Sequence, residues 1–65
     1  MLIQVNGKEL EVRAPTLAAL LVELGYQDAV VATALNECFV RAIDRTATQL
    51  RSGDAIEILV PRQGG

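Results

Sequence analysis

Residues 2–25 read LIQVNGKELEVRAPTLAALLVELG, and this stretch decides the fold. Leu2-Ile3-Gln4-Val5 opens as a strand. Asn6-Gly7 follows, a pair suited to a two-residue hairpin turn because both central positions of that turn require positive φ. Leu10-Glu11-Val12-Arg13 then alternates apolar and charged side chains, the mark of a strand with one face buried. Pro15-Thr16 breaks the pattern, and Thr16 offers a hydroxyl oxygen to the free N–H groups of a helix's first turn. The apolar period then becomes helical. Leu17, Leu20, Leu21 and Leu24 make one stripe, while Ala18, Ala19 and Glu23 lie off it. Gly25 supplies the left-handed residue that ends such a helix. Burying each leucine contributes roughly 1.5–3 kcal/mol, so the stripe is the main anchor of the core.

Beyond Gly25, residues 30–35 read as a buried strand with Val31, Thr33 and Leu35 on one face. Asn36-Glu37 turns the chain into a short return strand, Cys38-Phe39-Val40. Residues 41–50 have no clean period, and Leu50 is expected in the core beneath a loop or a single helical turn. Gly53-Asp54 marks another turn. Residues 55–60 form the last strand, with Ile56, Ile58 and Val60 facing inward and Leu59 on the open face. Pro61 stops it, because proline has no N–H for a sheet ladder. The order β-β-α-β-β-β, with one helix across a mixed sheet of four to five strands, is an α+β, β-grasp (ubiquitin-like) arrangement. The expected organisation is a β-grasp domain over 1–60 and a flexible C-terminal Gly-Gly tail over 61–65. The expected core is Ile3, Val5, Leu17, Leu20, Leu21, Leu24, Ile56 and Ile58.

Composition narrows the function. A chain of 65 residues allows one small core and no enclosed substrate cavity. Hydrophobic residues make up 51% and charged residues 22%, the balance of a folded chain rather than a disordered one. Net charge is −2, and the basic residues Lys8, Arg13, Arg41, Arg45, Arg51 and Arg62 are scattered. Without a basic run or an aromatic platform, nucleic acid is not an expected partner. No apolar stretch approaches the length that spans a bilayer, so no membrane partner is expected. The opening residues run straight into a strand pattern, with no signal peptide, and a cytoplasmic location is expected. Cys38 is the single cysteine, which excludes an intrachain disulfide. There is no histidine, no phosphate-binding loop and no metal-ligand cluster. The expectation is a carrier acting with partner enzymes, not an enzyme, with no cofactor bound by the chain itself.

The tail carries the chemistry. A chain ends in Gly-Gly by chance about once in 200, so the pair gains its meaning from its place a few residues after the last strand. A carboxylate is a poor electrophile and must be activated, for instance as an acyl-adenylate, before a nucleophile displaces oxygen. The activating site belongs to a separate enzyme, and the carboxyl has to enter it on a thin arm. Two glycines give the narrowest backbone available. Five extended residues from Pro61 can reach roughly 16 Å. Gly65 is therefore the expected reacting residue and Gly64 the source of clearance.

Three segments resemble the ThiS family, the sulfur carrier of thiamine biosynthesis. They are Thr16-Leu17-Ala18-Ala19-Leu20-Leu21, then Ala34-Leu35-Asn36-Glu37-Cys38-Phe39-Val40, and Gly53-Asp54-Ala55-Ile56-Glu57-Ile58-Leu59 running to Gly64-Gly65. The resemblance implies that an E1-like adenylyltransferase uses ATP to adenylate Gly65. A sulfur donor, a cysteine desulfurase or equivalent, then makes the thiocarboxylate, and thiazole synthase takes the sulfur for the thiazole ring. Many members carry a proline shortly after the position matching Val40, where this chain has Arg41-Ala42. The alternatives are the small subunit of a molybdopterin synthase, a ubiquitin-like protein modifier, and a β-grasp binding module.

The remaining residues read plainly. Cys38 has no histidine nearby to activate it and reads as a small apolar residue on a short strand. Asp54 and Glu57 fall on a turn and on an outward strand face, as solvated surface. Leu59, Arg62 and Gln63 are the expected docking residues for the adenylating partner, Leu59 because an exposed apolar side chain beside the tail suits an interface.

Overall fold

The computed structural model describes residues 1–61. The elements are β1 (Leu2–Val5), β2 (Lys8–Glu11), α1 (Leu17–Glu23), β3 (Ala32–Leu35), β4 (Cys38–Val40), a 3-10 helix (Ala42–Ala47) and β5 (Ala55–Leu59). They form one five-stranded sheet in the order β2-β1-β5-β3-β4. The central pair, β1 with β5, is parallel; the other pairs are antiparallel. This is the expected β-grasp, with the last strand made standing at the middle of the sheet.

Both hairpins turn on positive-φ pairs, as primed turns require. The first uses Asn6 (φ +52°) and Gly7 (φ +81°), the second Asn36 (+49°) and Glu37 (+72°). A seven-residue helix such as α1 is too short to stand alone and depends on packing. Its start is capped by Thr16, whose hydroxyl oxygen accepts from Ala19 N–H at 3.1 Å. At its end Gly25 takes a φ of +88°. There Gly25 N–H donates to Val22 O at 3.1 Å and Tyr26 N–H to Leu21 O at 2.7 Å. The Glu23 carboxylate accepts from Ala14 N–H at 2.9 Å and also from Arg13 N–H, tying the entry loop to the helix.

Ile3, Val5, Leu17, Leu20, Leu21, Ile56 and Ile58 are buried, as expected, and Val12, Ala14, Val31 and Leu50 join them. Leu50 is reached as expected, under a connection held to the helix start. Leu50 N–H donates to Pro15 O at 3.0 Å and Leu17 N–H to Thr48 O at 2.9 Å. Thr33 is the one buried polar side chain among the described residues. It donates to Val40 O at 2.9 Å and accepts from Arg45 Nε at 3.1 Å, while the same guanidinium donates to Val31 O at 2.7 Å.

Three core expectations need correction. Val60 is 59% exposed, because β5 ends at Leu59, its last partner being Ala32 at the very start of β3. Past that rung alternation no longer carries a side chain to the core. Leu24 is half-buried, since it is the C-cap residue and packs only against the rim of the core. Val30 is exposed and precedes the strand, which starts at Ala32.

Candidate functional site

The sheet has one face under α1 and one open face, and β5 separates them residue by residue. Ile56 and Ile58 point to the helix; Glu57 and Leu59 point to solvent. Leu59 is 64% exposed, as expected for a docking residue, and its partner across the ladder is Ala32. One row along, Glu57 pairs with Ala34 and Ala34 with Phe39, which is 71% exposed. The two alanines between Leu59 and Phe39 keep the middle of this face low. The result is a shallow apolar saddle with Glu57 at its margin. Phe39 was not singled out from sequence. Alternation through Cys38-Phe39-Val40, with Val40 opposite the buried Thr33, carries the signal that places it outward.

Side-chain amides hold both ends of β5. At its start, Ala55 N–H donates to Asn36 Oδ1 at 2.9 Å, and Asn36 Nδ2 donates to Asp54 Oδ1 at 3.1 Å. Asp54 also accepts from Arg51 N–H at 2.8 Å, so it builds the turn before β5 and is half-buried rather than simple solvated surface. At the far end, Ile58 N–H donates to Asn6 Oδ1 at 2.8 Å and Asn6 Nδ2 donates to Ile58 O at 3.1 Å. Pro61, exposed, follows three residues later. Arg62, Gln63, Gly64 and Gly65 lie outside the described residues.

Among the described residues no other groups converge on a reaction centre. Cys38 is a free, exposed thiol on β4. Among the described residues no group of three or more His, Cys, Asp or Glu is placed to hold a metal. No described helix is long and apolar enough to cross a membrane. A depression of about 220 Å³ lies between α1 and the 3-10 helix, lined by Leu21, Val22, Tyr26, Ala29 and Arg45. The Arg45 guanidinium there is already engaged with Val31 and Thr33.

The model of the ThiS family matches residues 3–65. The chain belongs to the ThiS family. Its fold matches a crystal structure of the thiamine biosynthesis protein ThiS from Geobacter metallireducens at a TM-score of 0.83 and 33% identity, covering 100% of both chains. It also matches a solution NMR structure of a thiamine biosynthesis protein from the same organism, at a TM-score of 0.80 and 32% identity, covering 100% of this chain and 88% of that one. Among curated proteins none matches significantly. The open face around Leu59 and Phe39, with the end of β5 beside it, is the candidate site.

Proposed function

We propose that this chain is a sulfur carrier protein whose Gly65 carboxylate is adenylated and converted to a thiocarboxylate, which donates sulfur for thiazole formation in thiamine biosynthesis. The observation that carries this is the family match, which runs through residue 65 and so includes Gly64-Gly65. A thiamine biosynthesis protein of the same fold at full coverage of both chains supports it.

The chemistry is a two-step exchange at one carbon. A carboxylate oxygen of Gly65 attacks the α-phosphorus of ATP and pyrophosphate leaves. A sulfur nucleophile, either hydrosulfide or a persulfide whose S–S bond a thiol then reduces, adds to the acyl carbon and AMP leaves, so that sulfur replaces one oxygen. The E1-like adenylyltransferase supplies the ATP site, a cysteine desulfurase or equivalent supplies the sulfur, and thiazole synthase consumes the product. The chain itself binds no cofactor. Its part is to be held by Leu59, Arg62 and Gln63 while Gly64 lets the carboxyl enter a narrow channel. Its place is the cytoplasm, where ATP is the activating reagent.

The test is the intact mass after incubation with the adenylyltransferase, ATP and a sulfur source. The parent should gain the difference between one sulfur and one oxygen. A chain extended by one residue past Gly65 has an amide where the carboxylate stood and should gain nothing, while Cys38→Ser should gain as the parent does. Sulfur acquisition by the extended chain would move the chemistry away from Gly65.

A further inference from the structure

Asn6 stands where β1 stops being a strand. Its φ of +52° turns the chain toward β2, and a left-handed residue cannot keep its carbonyl in the ladder it has just left. Asn6 N–H still donates to Ile56 O at 2.9 Å, the last backbone rung between the two strands. The next groups on this edge of β5 are the N–H and C=O of Ile58. In a continuing parallel ladder two successive bonding residues of β1 would meet them, one through its C=O and the next through its N–H. Here the Asn6 carboxamide meets both, accepting at 2.8 Å and donating at 3.1 Å. The side chain closes the ladder where the backbone of β1 has turned away.

Few residues can do this. Glycine tolerates the left-handed backbone but offers nothing to Ile58. Aspartate tolerates it and accepts from Ile58 N–H, yet sets a carboxylate against Ile58 O. Asparagine alone combines a short side chain, tolerance of positive φ, and one donor beside one acceptor.

We propose that Asn6 is a positioning residue for the reacting end of the chain: its carboxamide fixes Ile58, and with it the point and direction at which the following residues leave the sheet. This rests on the function proposed above. Ile58 lies seven residues before Gly65, so it sets where the segment bearing the reacting group begins. A misplacement on the order of 1 Å at a reacting group costs rate steeply. Leu59, proposed to dock, is also held by its pairing with Ala32 of β3, which Asn6 does not touch, so the effect is expected on the chemical step more than on association.

The experiment compares the full-length parent with Asn6→Gly and Asn6→Asp. It measures pyrophosphate release by the adenylyltransferase as kcat and KM for the carrier, and amide hydrogen exchange residue by residue. In both variants the Ile58 amide should exchange faster while the amides of Leu20 and Ile3 keep their protection. Turnover should fall about tenfold, with KM within about twofold of the parent. Faster Ile58 exchange with parental kcat would make the pair a purely structural clamp and overturn the proposal. Loss of protection across the whole sheet in both variants would make Asn6 a folding determinant and also overturn it. No pyrophosphate release from the parent would instead overturn the function itself, and the positioning role with it.

Discussion

The two faces of β5 differ by one residue of register and in everything else. Ile56 and Ile58 are sealed under α1, while Glu57 and Leu59, on the same strand, meet solvent. The helix side obeys packing: its side chains fill one small core, and each has neighbours that cannot move away. The open side obeys no such demand, yet it carries Leu59 and Phe39 rather than a uniformly polar row. Side chains that folding does not require, placed next to the outlet of the chain end, are free to serve a partner. Stability and binding should therefore separate cleanly when the two faces are mutated.

The largest effect is expected deep on the covered side. Leu20 is fully buried, and Leu20→Ala should lose about 2–5 kcal/mol in chemical denaturation. Against the total of about 3–5 kcal/mol that a core of this size supplies, this would leave a large fraction unfolded at physiological temperature. A harmless Leu20→Ala would mean that the helix does not seal this face. Ile56→Val removes a single methyl group from the same layer and should cost about 0.5–1.5 kcal/mol, read as a shift in the denaturant midpoint with an unchanged slope. Leu59→Asp should change folding stability by no more than about 0.5 kcal/mol. The same substitution should weaken binding to the adenylyltransferase by about 2 kcal/mol in a titration. Phe39→Ser should behave in the same way if the saddle is gripped as a whole. A Leu59→Asp variant that unfolds but binds normally would erase the distinction between the faces.

Local chemistry made much of the fold legible. Asn6-Gly7, Thr16 and Gly25 each have a conformational reason tied to one position, and the structure uses all three as their residue types dictate. The leucine stripe was legible for the same reason, except at Leu24, where the cap ends the helix before the period is complete. What was not legible depends on partners distant in sequence. The end of β5 is set by where β3 begins, so Val60 could not be placed from its own strand. The 3-10 helix at Ala42–Ala47 buries no residue of its own, and a segment without a buried face leaves no apolar period to read. Asp54 looked like surface because its hydrogen-bond partner Asn36 is 18 residues away. At the candidate site, the exposure of Leu59 followed from alternation, whereas Phe39 needed the pairing of β4 with β3 before its direction had meaning. The bonds from Asn6 to Ile58 span 52 residues and rest on a side chain standing in for backbone, which no periodicity announces.

The position of β5 at the centre of the sheet also bears on how the protein is made. Synthesis runs from β1 to β5, so both hairpins emerge before the strand that joins them. Until then each hairpin has an unpaired inner edge, and a two-stranded hairpin alone is marginal in water. The sheet closes only when β5 has left the ribosome. A product cut short before β5 has neither a joined sheet nor the apolar layer of Ile56 and Ile58. It would be cleared as unfolded chain rather than persist as a folded fragment. Placing β5 in the middle makes synthesis through that strand a condition of closing the sheet.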